Sequence, residues 1–86
     1  MPVRVRYSRE YMRVREKLDP LAVLALEIVE DEIARDPGIG HHRRQIRDGA
    51  IFDYSGGEGD ILVRYRRISP EVVEFEKVKD LRNPDL

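Results

Sequence analysis

Gly59-Asp60-Ile61-Leu62-Val63-Arg64-Tyr65-Arg66 is the stretch on which the fold turns. A glycine opens it, and Ile61, Val63 and Tyr65 then share one face while Arg64 and Arg66 take the other. A period of two is the mark of a half-buried strand. Just upstream, Ala50-Ile51-Phe52-Asp53-Tyr54 reads as a second strand, joined to the first through Ser55-Gly56-Gly57-Glu58-Gly59, a hairpin loop rich in residues that accept positive φ. Downstream, the strand runs to Ile68, Ser69-Pro70-Glu71 turns the chain, and Val72 to Val78 returns as a third strand.

Further from this meander the period changes. Asp19-Pro20 is a helix start, with Asp as N-cap and Pro at the first helical position. The helix carries Ala22, Leu26, Val29 and Ile33 on one face and Leu21, Leu24 and Ile28 on an adjoining one. A stripe that wide predicts contact with both a sheet and the first helix. Glu27, Glu30, Asp31 and Glu32 are expected mostly in water. Asp36-Pro37-Gly38 ends the helix. Before it, Ser8 is placed to cap a short helix over 9–18 with Tyr11, Val14 and Leu18 on one side. Val3-Arg4-Val5-Arg6-Tyr7 alternates as a strand with Val3, Val5 and Tyr7 facing the core. Gly38-Ile39-Gly40-His41-His42-Arg43-Arg44 reads as an exposed connection. The expected class is therefore α+β: an antiparallel sheet with two N-terminal-half helices packed on one face, in the order β-α-α-β-β-β. A single domain is expected over 1–81, with 82–86 as a loose C-terminal tail.

Composition narrows the function classes. An 86-residue chain makes one small domain. Without cysteine it has no disulfide framework and no zinc–thiolate site, so packing alone must hold it. No apolar run approaches the roughly 20 residues of a membrane span, and Met1 to Tyr7 lacks a signal-peptide core. The expectation is a soluble, cytoplasmic protein. The formal net charge is −1, but residues 1–18 carry six Arg/Lys against two acids, and residues 19–36 one Arg against six acids. Residues 61–69 hold three Arg and no acid. Such segregation lets a nearly neutral protein offer a basic face to a polyanion; a mixed-charge, solvated surface is the competing reading.

This order of elements at this length resembles the RelE/ParE superfamily of bacterial type II toxin–antitoxin toxins. The resemblance covers about Val3 to Asp80. It rests on Asp36-Pro37 closing the long helix, the basic stretch Arg43 to Arg47 before Gly49, Gly59-Asp60 opening the third strand of the order, Tyr65-Arg66 within it, and Val72-Val73-Glu74-Phe75 in the last. It implies a protein that inhibits translation by ribosome-dependent mRNA cleavage, bound by a small acidic or amphipathic antitoxin that masks its arginines. The gyrase-inhibiting branch of the superfamily implies a non-enzymatic alternative with DNA gyrase as target. A non-toxic binding module that keeps the fold is a third.

The chain departs from the family pattern at two places. Many members read Gly-Asp-Tyr-Arg-Val-Leu-Tyr in the third strand; alignment on Gly59-Asp60 and Tyr65 puts Leu62 at the arginine. Arg64, two residues on, stays on the same face and takes that role if the register slides by two. The last strand ends Lys77-Val78-Lys79-Asp80-Leu81, without the histidine or arginine and following tyrosine of many cleaving members.

Cleavage of this type needs a deprotonated 2′-hydroxyl, neutralised charge on the scissile phosphate and a protonated leaving oxygen. Arg64, Lys77 and Lys79 are the candidate catalytic residues, and Arg43, Arg44, Arg47 and Arg66 the candidate RNA-binding ones. Arg64 with Arg66, and Lys77 with Lys79, are each two apart and would share one sheet face as a phosphate-binding patch. The alternative is that they pair with Asp53, Glu74 and Glu76 across strands. His41 and His42 read as surface loop residues. No cofactor or metal site is expected, since further ligands at suitable spacing are lacking. Tyr54 and Tyr65 could stack on a base, though core packing is the stronger expectation for Tyr65.

Overall fold

The computed structural model describes residues 3–56 and 60–82. The elements are β1 (Arg4–Tyr7), α1 (Arg9–Arg15), α2 (Pro20–Arg35), β2 (His41–Ile46), β3 (Gly49–Gly56), β4 (Ile61–Ser69) and β5 (Val72–Asp80). The expected α+β order holds, with one strand added. The sheet is five-stranded, ordered β1-β5-β4-β3-β2. It is mixed rather than wholly antiparallel, because β1 lies parallel to β5 with Val5 opposite Val73. Between β1 and β5 the chain runs through both helices and then β2, β3 and β4, well beyond the minimum a parallel pair requires. Gly57, Glu58 and Gly59 of the expected hairpin loop, and 83–86 of the expected tail, lie outside the described residues.

The stretch taken as an exposed connection is, from His41 onward, an edge strand. Five residues of β2 are exposed and only Ile46 is half-buried. An edge strand on the solvent side needs no apolar alternation, so it left no periodic signal. Its hairpin turns through Arg47 and Asp48 into Gly49, at φ 131°, where an added Cβ would run into the Arg67 carbonyl oxygen. Only glycine fits there.

Both helix starts form as the sequence predicts. The Ser8 hydroxyl accepts the Tyr11 N–H at 3.0 Å and donates to the Glu76 carbonyl at 2.8 Å, so the cap also ties α1 to β5. The Asp19 carboxylate accepts the Ala22 N–H at 2.9 Å, with Pro20 as the first helical residue. The helix expected over 9–18 stops at Arg15, yet Leu18 remains buried in the turn that follows.

The core lies between α2 and the sheet. Ala22, Leu26, Val29 and Ile33 pack with Ile61, Val63, Tyr65, Val73 and Phe75, all nearly solvent-free. Val3 and Val5 pack against this cluster, but Tyr7 is 48% exposed, its ring edge-on to Phe75. Tyr65 is core, as expected: its ring stacks on Phe52, and its hydroxyl donates to the Pro37 carbonyl at 2.7 Å and accepts the Gly40 N–H at 3.1 Å. That pins the α2–β2 connection to the sheet. An added Cβ at Gly40 would stand 2.7 Å from the Tyr65 hydroxyl, so the close approach requires glycine.

Two expectations for α2 fail. Glu30 is buried: Arg15 donates Nε and a terminal nitrogen to its two oxygens, each at 3.1 Å, and the Tyr11 hydroxyl donates at 2.6 Å. A buried carboxylate persists because its charge is paired and hydrogen-bonded. Burial, and then the neighbouring Glu30 carboxylate, hold the Tyr11 phenol protonated far above its usual range. Second, Leu21, Leu24 and Ile28 are 71%, 58% and 59% exposed, so the second apolar face is left mostly in water and α2 meets α1 and the sheet through its other face.

Candidate functional site

The hairpin that decides the fold also builds the site. Pairing of β3 with β4 sets Phe52 against Tyr65 and Tyr54 against Val63 on the helix-facing side. Asp53 against Arg64 and Ser55 against Leu62 fall on the other side by alternation. On the far edge of β4, Arg64 is opposite Lys77 and Leu62 opposite Lys79. The ladder then shifts: Tyr65 faces Phe75 and Arg66 faces Glu74, leaving Glu76 as the extra residue. Lys77 and Lys79 consequently share the face of Arg64, and the patch ends at the irregularity.

These side chains line one cleft of about 370 Å³. Arg64, Lys77 and Lys79 border it with Leu62 and Asp53, while Glu10 and Val14 reach it from α1. The three residues that the sequence singles out for catalysis are thus brought together. Among the described residues neither lysine makes an ion pair. Arg64 does: Nε meets Asp53 Oδ1 at 2.8 Å and a terminal nitrogen meets Oδ2 at 3.1 Å. Arg43, from β2, stands 3.4 Å from the same carboxylate. The Arg64 guanidinium, followed by the charge of Arg43, holds the Asp53 carboxyl below its usual range. The Arg64 pair is oriented but open to solvent, with 42% of the arginine side chain exposed against 17% of Asp53.

The other predicted cations divide. Arg43 and Arg44 lie on the exposed edge strand and Arg47 in the exposed turn after it, so all three present charge to solvent. Arg66 does not. It donates to Glu74 at 2.9 Å and lies 3.2 Å from Glu76, with only a quarter of its side chain exposed. At the Glu76 contact the Nε–H is misaligned, so that contact is an ion pair rather than a hydrogen bond. The four-cation patch is therefore a three-cation cleft, with Arg66 held in the cross-strand pairing that was the alternative. Burial, followed by the adjacent Glu74, raises the Glu76 carboxyl above its usual range.

His41 and His42 are exposed on β2, and the His42 ring meets Phe52 edge-on. They belong to a strand rather than a loop. Tyr54 donates its hydroxyl to Glu32 at 3.0 Å, which turns it toward α2 and away from the cation face. Among the described residues no group of three or more His, Asp and Glu is placed to hold a metal. No helix there is long and apolar enough to cross a membrane.

Sequence reasoning named Asp53 only as a possible cross-strand partner and gave Glu10 no role at the site. Asp53 had a signal: counting back through the hairpin puts it opposite Arg64, and a carboxylate between Phe52 and Tyr54 interrupts an apolar run. Glu10 had none, because nothing in the chain tells which face of α1 borders a cleft on β4 and β5.

No family model matches the sequence, and no curated protein matches it either. Among solved structures the chain is similar to one from Pyrococcus horikoshii OT3, described as an archaeal RelE–RelB complex. The TM-score is 0.74 at 16% identity, over 94% of this chain and 97% of that one. Matching at that length, with two helices and the five-stranded mixed sheet, shows that this chain has the RelE fold.

Proposed function

We propose that this chain is a toxin of a type II toxin–antitoxin module that inhibits translation by cleaving mRNA on the ribosome. The observation that supports it best is the cleft gathering Arg64, Lys77 and Lys79 on one sheet face of a RelE fold. In this reading Lys77 and Lys79 take the phosphates flanking the scissile bond. Arg64, already aimed by Asp53, neutralises the charge that grows on the phosphorus oxygens as the 2′-oxygen, its proton lost to water, bonds phosphorus and the P–O5′ bond breaks, the departing 5′-oxygen taking a proton from water. Arg43, Arg44 and Arg47 extend the path of positive charge along the backbone of the message, where contacts position without reading sequence. The Leu62 and Val14 side chains give the cleft an apolar wall against which a base can lie.

The partner is an antitoxin whose acidic segment covers the cation cleft. The similar structure is described as a complex of RelE with RelB, which supports a proteinaceous partner for this chain too. The working compartment is the cytoplasm, where ribosomes and such modules meet.

A reconstituted translation reaction with a defined message tests the reading. The chain should cut ribosome-bound message and leave the naked RNA intact. Slowed supercoiling by gyrase, with no cut in the message, would instead place the chain with the non-enzymatic branch.

A further inference from the structure

Strand register sets one more chemistry-bearing side chain beside the cation cleft. His41 of β2 is opposite Asp53 of β3, Asp53 is opposite Arg64 of β4, and Arg64 is opposite Lys77 of β5. Residues directly opposite one another across a ladder share a face, so the four form one transverse row over four strands. His42 takes the other face, against Phe52. The row is anchored at its His41 end. Gly40, the residue before it, donates its N–H to the Tyr65 hydroxyl at 3.1 Å, and an added Cβ there would stand 2.9 Å from the Asp53 carbonyl oxygen. The start of β2 is therefore held close against β3, and His41 leaves a fixed backbone while remaining exposed.

The charged groups around His41 are few, because β2 is the edge of the sheet. Asp53 faces it from β3, Arg43 follows two residues along its own strand, and Arg64 leans back from β4 onto the same carboxylate. Arg64 first, then Arg43 and His41, hold the Asp53 carboxyl below its usual range, so the imidazole is within electrostatic reach of the group that aims Arg64. Neighbouring strands lie about 4.8 Å apart, which separates β2 from β4 by roughly 10 Å; the lean of Arg64 onto Asp53 closes much of that gap. Lysine and arginine bind phosphate but are poor proton acceptors near neutral pH, whereas imidazole is suited to that work. A carboxylate opposite the ring steadies the cation that forms when it takes a proton. The row also has the order of an in-line displacement: a phosphate at Arg64 has Lys77 on one side and His41 on the other. We infer that His41 is a catalytic residue of the reaction proposed above, on which this inference rests, and that its imidazole carries the 2′-hydroxyl proton to water. The neutral ring takes that proton as the 2′-oxygen bonds phosphorus, the P–O5′ bond breaks, and the departing 5′-oxygen takes a proton from water. The imidazolium, facing Asp53, then gives its proton to water before the next cut.

The test is single-turnover cutting of a defined message on stalled ribosomes, followed over pH for the parent, His41→Ala and His42→Ala. The parent rate should rise by about tenfold per pH unit at the acid end and level off within the range where imidazole titrates, roughly pH 5 to 8. His41→Ala should lose about a hundredfold or more of the plateau rate, and the acid limb with it. Its melting temperature, and its affinity for a short RNA at the alkaline end, should match the parent, because the side chain is exposed and uncharged there. Imidazole added to His41→Ala should restore part of the rate in proportion to its neutral fraction. His42→Ala, altered on the opposite face, should keep both rate and limb. The inference is overturned if His41→Ala cuts as the parent does, or if imidazole restores nothing at any pH. It is equally overturned if the parent rate climbs as pH falls, the sign of a histidine that serves only as a phosphate-binding cation. In each of these cases cutting by the parent leaves the toxin reading standing; no cutting by the parent at any pH overturns both.

Discussion

Arg64 and Asp53 sit directly opposite one another on neighbouring strands and close a two-point ion pair at 2.8 and 3.1 Å. The pair aims the guanidinium into the cleft and at the same time subtracts from the positive charge offered there. Replacing Asp53 by Asn should separate these effects. RNA affinity should rise by about two- to fivefold, the scale of one exposed charge contact, while the cutting rate falls because Arg64 is no longer held. Equilibrium binding to a short single-stranded RNA beside single-turnover cleavage would show the opposite signs.

The same pair shapes the response to acid. The folded-state pKa of Asp53 is depressed, first by Arg64, so the carboxylate stabilises the fold above its unfolded pKa and that contribution is lost as pH falls through the folded value. Unfolding followed between pH 6 and 2 (a window of roughly this range brackets ordinary carboxylates) should show a shallower loss of stability for Asp53→Asn than for the parent. At the neutral end the variant should be the less stable of the two.

Phosphate binding by the lysines predicts a salt signature. Each phosphate contact on a single strand contributes about −0.7 to the slope of log affinity against log salt. Lys77→Ala and Lys79→Ala should each flatten the slope by about that amount, whereas Lys17→Ala, in the exposed turn after α1, should leave it unchanged. Arg66→Ala should also change it little, since Glu74 and Glu76 already hold that charge.

The buried clamp between the helices gives a stability prediction. Tyr11→Phe removes one hydrogen bond to a charged acceptor and leaves Arg15 on Glu30, a cost of about 1.5–3 kcal/mol. Glu30→Ala strands both Arg15 and the Tyr11 hydroxyl, and should cost about 3–5 kcal/mol. Denaturant unfolding measures both, and Glu30→Ala must be the worse for the clamp to be as described.

How much of this was legible beforehand follows the physics of each element. Both helix caps, the β3–β4–β5 meander and the core face of α2 could be read because burial imposes a period and a cap demands particular side chains. β2 could not, since an edge strand with exposed residues owes nothing to a period. Glu30 reads as a solvated acid until Tyr11 and Arg15 are known to converge on it, and that convergence depends on how α1 packs on α2. Arg64, Lys77 and Lys79 could be placed on one sheet face by strand alternation, which survives folding. For Arg66 the sequence offered both the patch and the pairing with Glu74 and Glu76; the irregularity that puts Glu74 opposite it, with Glu76 as the extra residue, decides between them and has no mark in the sequence.

The central claim is that the cleft of Arg64, Lys77 and Lys79 cuts mRNA on the ribosome. Mapping the 5′ ends of a defined message in a purified translation system, with the parent chain and with the Lys77→Ala, Lys79→Ala double variant, tests it most directly. The parent should produce new ends in the ribosome-bound message. The double variant should lose about a hundredfold of that activity, the scale of misplacing the reacting groups once the flanking phosphates are no longer held, without a change in melting temperature. Undiminished cutting by the double variant, or no cutting by the parent, would contradict it.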